Sequence, residues 1–165
     1  MSAETIDETL PEVVKNFLRS GARLQTIRLD DRGNWTHEGL DFENPRIIDL
    51  FSRSVNRTPG GTWVLEVGRF TYPIQVDDTG FFVERLEWTD DLPTLVLSDH
   101  GREPLDPTTL QYAPQGRLYC RIRGGEFRAR FKKAAYYDLA ERIEEAPHGW
   151  YVTLGGERYV IDPRE

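Results

Sequence analysis

The sequence predicts an α+β fold: two related hairpin–helix–hairpin halves around mainly antiparallel sheets, preceded by an N-terminal helix. Three observations carry this. Alternating runs ending at Ile122 and Phe131 meet at Gly124-Gly125, and a second pair of runs meets at Gly155-Gly156. Glycine pairs suit the positive φ angles of tight hairpin turns. Between the hairpins, Tyr136, Leu139, Ala140 and Ile143 fall at helical spacing, and Pro147 with Gly149 is read as closing that helix. A similar order stands earlier in the chain: Trp63, Gly68, Tyr72 and Ile74 precede Trp150, Gly155, Tyr159 and Ile161 by 87 residues each. A repeated supersecondary unit produces that pattern.

Taken in order, residues 1–8 read as frayed. A helix starts at Thr9, with Glu12 completing a capping box, and Leu10, Val13, Val14, Phe17 and Leu18 share one face until Gly21. Strands are expected over Leu24 to Leu29 and Asn34 to His37, around the turn Asp30-Asp31-Arg32-Gly33. Asn44-Pro45 opens a second helix with Ile47, Ile48, Phe51 and Val55 as its buried stripe, stopped by Pro59-Gly60-Gly61. Trp63 to Val76 should fold near Gly68, placing Trp63, Leu65 and Val67 with Tyr72, Ile74 and Val76. Phe81 to Trp88 and Leu95 to Ser98 read as two further strands, and the Pro- and Asp-rich Asp99 to Pro114 reads as a linker. The expected organisation is therefore an N-terminal segment (1–21), a first repeat with extra strands (22–98), a linker (99–114) and a second repeat (115–165).

In the hairpin at Gly124-Gly125, Ile122 should face Phe127, Cys120 should face Ala129 and Leu118 should face Phe131. The opposite face then carries Arg117, Tyr119, Arg121, Arg123, Arg128 and Arg130.

Several of these residues resemble the bacterial family of domains of unknown function 1285. Arg123-Gly124-Gly125 with Ala129-Arg130, then Tyr136-Tyr137-Asp138-Leu139, is similar to its R-G-G-x-x-x-A-R and Y-Y-D-L pattern. Gly33-Asn34-Trp35, the helix holding Leu50-Phe51-Ser52, and Ile74, Val76, Asp78, Phe81 and Val83 resemble its first half. The resemblance spans residues 24–161 and departs at Glu38-Gly39-Leu40-Asp41. It implies two related halves, the second loosely like a pleckstrin-homology barrel, a ligand site at the seam between them, and a regulatory role in signalling. No activity comes with it.

Composition narrows function further. With 28 acidic against 21 basic residues and a net charge of -7, long-range electrostatics oppose nucleic-acid polymers and anionic membranes. One cysteine allows no internal disulfide, no apolar run reaches membrane-helix length, and no signal pattern opens the chain. A cytoplasmic protein is expected. The basic face is the strongest functional signal, because Arg121 lies opposite Arg128 and like charges so placed destabilise a sheet. A phosphate-bearing ligand or acidic partner segment would offset that. The candidate ligand-binding residues are Arg121, Arg128, Arg130, Tyr119, Trp35, Arg46 and Arg53.

No catalytic set is expected. Asp30-Asp31, Asp77-Asp78 and Asp90-Asp91 read as turn acids. Ser98-Asp99-His100 holds triad residue types, but contiguous side chains cannot form a triad. His37, His100 and His148 lack metal-ligand spacing, so neither metal nor cofactor is expected. Cys120 reads as a packed thiol. The chain is thus read as a non-enzymatic binding or regulatory module for a small anionic or nucleotide-like ligand, or for a protein partner. The alternative is a structural or protein–protein interaction domain without a small ligand.

Overall fold

The chain divides into two units, Met1–Gly80 and Phe81–Glu165; the computed structural model describes residues 7–9, 12, 15, 19 and 26–164. Glu12, Lys15 and Arg19 are helical. The apolar stripe expected on that helix (Leu10, Val13, Val14, Phe17, Leu18), its stop at Gly21, and Leu24 lie outside the described residues.

In the first unit, β1 (Ile27–Leu29) and β2 (Trp35–His37) pair antiparallel with Leu29 opposite Trp35. The turn between them is fixed by Asp30, whose Oδ1 accepts from the N–H groups of Arg32 (2.9 Å) and Asn34 (2.8 Å). A tight turn at Glu38-Gly39 leads to β3 (Leu40–Asp41). Helix α1 (Pro45–Ser54) begins as the sequence implies, with the Asn44 side chain accepting from the Arg46 N–H at 3.0 Å. It stops earlier than expected. Val55 is not its last buried position but the first residue of β4 (Val55–Arg57), opposite Leu65. Strands β5 (Trp63–Val67) and β6 (Phe70–Pro73) fold at Gly68-Arg69 with Leu65 opposite Tyr72. Val76 departs from the expected alignment: β7 (Gln75–Val76) leaves the hairpin and pairs parallel with β1.

The second unit is one mixed, mainly antiparallel sheet with a single α-helix. Its strands are β8 (Phe81–Thr89), β9 (Leu92–Leu97), β10 (Arg102–Pro104), β11 (Gln111–Ala113), β12 (Arg117–Ile122), β13 (Phe127–Phe131), β14 (Ile143–Ala146), β15 (Gly149–Leu154) and β16 (Glu157–Pro163). They lie in the order β10-β9-β8-β13-β12-β11-β16-β15-β14, with β8–β13 and β11–β16 as the parallel pairs. This corrects the expected boundary. Residues 99–114 are no linker, because they supply β10, a 3-10 turn at Pro107–Thr109 and β11 to the sheet. Likewise β8 and β9 belong with β13, and the division falls after Gly80.

Local register follows the sequence closely. Ile122 lies opposite Phe127, Cys120 opposite Ala129 and Arg121 opposite Arg128. The ladder ends there, since Arg123, Gly124 and Gly125 all take positive φ. The sheet curls until the β8–β9 turn meets the β15–β16 turn, where the Gly155 N–H donates to the Asp91 carbonyl (3.2 Å) and Asp91 Oδ2 (3.0 Å). Arg142 braces this join, pairing with Asp91 and lying over the Trp88 ring at 4.4 Å.

Helix α2 (Lys133–Ala140) buries Ala135 and Leu139, one turn apart, against the sheet. The sequence extended it to Pro147; the structure ends it at Ala140. The Arg142 N–H closes the last turn on the Leu139 carbonyl at 2.9 Å, and Ile143 then pairs with Val152. Pro147 therefore sits in a hairpin turn and stops no helix.

Candidate functional site

Four of the seven candidate site residues stand together on β12 and β13. Arg121 pairs with Arg128 and Tyr119 with Arg130 across that ladder. Their surroundings differ. Arg121 is exposed, and its N–H donates to Thr109 Oγ1 at 3.0 Å. Tyr119 has no exposed surface: the Arg128 guanidinium lies over its ring at 5.0 Å and that of Arg164 at 4.6 Å. The Tyr119 ring is thus covered within the protein, by Arg128 of the same sheet face and by Arg164 from beyond β16. Arg128 and Arg130 are half-buried.

The other three belong to the first unit. Trp35 is 3 % exposed, donates through Nε1 to Ser52 Oγ at 3.1 Å, and meets the Phe51 ring edge-on at 5.4 Å. Buried on all sides, it anchors α1 to β2. Arg46 and Arg53 are exposed two turns apart on α1, and Arg53 pairs with Asp49 at 2.9 Å.

A different feature of the second unit has the shape of a ligand site. Between α2 and the β11–β12 and β14–β16 part of the sheet lies a cleft of about 300 Å³. Three aromatic side chains from three elements line it: Tyr112 of β11, Tyr136 of α2 and Trp150 of β15. Ile143, Leu118 and Ile161 complete the apolar wall, and the small residues Ala113, Gly116 and Ala140 leave the space open. Helical spacing puts Tyr136 and Ala140 on one face of α2. On the sheet side, antiparallel pairing sets Tyr112 beside Leu118 and Trp150 beside Ile161, while the parallel β11–β16 pairing joins the two ladders.

Arg117 is the charged residue of the lining. Its Nε donates to the Pro114 carbonyl at 3.0 Å, and no carboxylate among the described residues pairs with it. The lining holds no carboxylate, imidazole or thiol. The sequence puts Tyr136 at helical spacing with Ala140 and Arg117 on the basic face of a hairpin, and neither pattern shows that they share one hollow. The available signal was the set of small residues, Ala113, Gly116 and Ala140, interleaved with large aromatics.

The acyl-transfer residue types do other work. Ser98 Oγ accepts from the Phe82 N–H at 3.0 Å, Asp99 accepts from the Gly101 N–H at 2.8 Å and pairs with Arg123, and His100 takes positive φ in the turn. Burial pushes the Cys120 thiol far above its ordinary pKa, as expected of a packed cysteine. Among the described residues, no group of three or more His, Cys, Asp or Glu side chains could hold a metal ion. No helix among them is long and apolar enough to cross a membrane.

No protein-family model and no curated protein sequence matches the chain. Two solved structures share its fold. One is a DUF1285 family protein from Silicibacter pomeroyi DSS-3, with a TM-score of 0.62 and 17% identity, covering 82% of this chain and 79% of that one. The other is a DUF1285 family protein from Shewanella baltica OS155, with a TM-score of 0.54 and 16% identity, covering 73% of this chain and 94% of that one. The resemblance read from the Arg-Gly-Gly and Tyr-Tyr-Asp-Leu segments is therefore matched by a common fold, consistent with a distant member of that family.

Proposed function

We propose that this chain is a non-enzymatic binding module whose ligand site is the cleft of the second unit, and that ligand occupancy serves a regulatory role. One observation carries this: three aromatic side chains from three elements converge on a hollow of about 300 Å³ that small residues keep open. Ligand pockets are typically walled by apolar and aromatic groups with few polar ones, and this volume lies at the small end of their range. A lining of aromatic and small residues without carboxylate, imidazole or thiol favours a binding role. The row Arg121, Arg128 and Arg130 is the second candidate, favoured by the directly opposed Arg121 and Arg128.

The same proposal takes β1–β6 with α1 and β12–β16 with α2 as copies of one hairpin–helix–hairpin module. Support lies in their pairing: Leu65 opposite Tyr72 and Val67 opposite Phe70 correspond, 87 residues on, to Val152 opposite Tyr159 and Leu154 opposite Glu157. The strongly curled sheet with one helix supports a loose likeness of the second unit to a pleckstrin-homology barrel.

A thermal-shift screen with compact aromatic and phosphorylated small molecules tests the site. At least one compound should raise the melting temperature of the wild-type chain, and Ala140→Trp, which fills the cleft, should abolish the rise. A stabilising compound that acts equally on Ala140→Trp would place the site elsewhere.

A further inference from the structure

Given the cleft as the ligand site, on which this step rests, we infer that its ligand is a compact, flat aromatic acid, with one ring system between the aromatic walls and one anionic group at Arg117. Size comes first. A hollow of about 300 Å³ lies at the small end of the range of small-molecule sites. That suits one or two fused rings with a small substituent. Shape follows from the walls. Tyr112, Tyr136 and Trp150 offer ring surfaces, and planar guests gain most from offset or edge contacts with such rings.

Charge decides between the remaining classes. Three converging rings alone would equally suit a quaternary ammonium group, which aromatic cages hold through ring quadrupoles. Arg117 opposes that, because a cationic residue of the lining repels a cation and no carboxylate of the lining offsets it. Its position is set rather than free: Nε is bonded to the Pro114 carbonyl across the β11–β12 turn, where Gln115 and Gly116 take positive φ. The terminal guanidinium nitrogens remain as donors, suited to the fork geometry of a carboxylate or phosphate. In a protein of net charge -7, long-range attraction does not bring an anion in, so recognition of the acid depends on this local contact.

Titration calorimetry with a matched naphthalene series tests the inference: 1-naphthoate, 1-naphthyl phosphate, neutral 1-naphthalenemethanol and a naphthyl trimethylammonium salt. At least one of the two acids should bind about tenfold or more tightly than the neutral compound, and Arg117→Gln should remove that difference. The stronger acid identifies which anionic group is used. Equal binding of acids and alcohol, or tightest binding of the ammonium salt, overturns the ligand class. If that binding is still lost in Ala140→Trp, the cleft itself stands. Absence of binding by every member of the series, while other compounds lose their stabilising effect in Ala140→Trp, also overturns the class alone. Binding that Ala140→Trp leaves intact overturns the cleft.

Discussion

Arg121 and Arg128 are chemically alike and directly opposed, yet they hold different places. Arg121 is exposed beside a like charge, whereas Arg128 lies over the buried ring of Tyr119. Arg121→Ser should therefore be neutral or stabilise by a few tenths of a kcal/mol. Arg128→Ser should cost about 1 kcal/mol through the lost ring contact. Urea denaturation of the two variants separates them, and equal effects would show that the stacking contributes nothing. Asp7 is a second contrast in local wiring. Its carboxylate accepts from the hydroxyls of Thr58 (2.5 Å), Thr62 (2.5 Å) and Thr9 (2.5 Å), and these bonds hold its pKa well below the ordinary 3.8. A depressed folded-state pKa contributes stability above the unfolded value and loses it as pH falls through the folded one. Wild-type stability should thus decline more steeply than that of Asp7→Asn below about pH 4, measured as urea midpoints at stepped pH. Parallel decline in both would mean that the threonine hydroxyls do not favour the ionised form.

Elements were legible from sequence where the signal was local. The Ile122–Phe127 register followed from alternation about Gly124-Gly125, and the Asn44-Pro45 start of α1 followed from capping chemistry. Both helices were overextended for one reason. Each passes almost directly into a strand, and Val55 and Ile143 satisfy the helical period while pairing with Leu65 and Val152. A period of 3.6 and one of 2 coincide over a single residue, so tertiary pairing decides. The cleft was hidden for a related reason, since Tyr112 comes beside the Trp150 hairpin only through the parallel β11–β16 pairing. Packing yields a further test at this scale. A Cβ added at Gly80 would meet the Trp63 ring at 2.4 Å. Gly80→Ala should destabilise by about 1–3 kcal/mol, as overpacking does. A melting temperature equal to wild type would show that Trp63 moves aside freely.

At the scale of the whole molecule, each unit closes its own hydrogen-bonded ladders, and the likeness to the two solved structures establishes the fold. Function then rests on what the second unit does with its curled sheet and single helix. The curl, held by Asp91, Gly155 and Arg142, turns one face of the sheet toward α2. Small residues between α2 and the sheet, Ala113, Gly116 and Ala140, leave a hollow where a packed core would otherwise continue. The most direct measurement is a titration of 15N-labelled protein with 1-naphthoate, following the indole N–H signals of Trp35, Trp63, Trp88 and Trp150. The Trp150 indole should shift saturably together with the backbone signals of Tyr112, Tyr136 and Arg117, while the Trp35 and Trp88 indoles, bonded to Ser52 and Asp138, stay in place. Saturable shifts confined to Arg121, Arg128 and Arg130, with the Trp150 signal unmoved, would contradict the assignment of the cleft as the binding site.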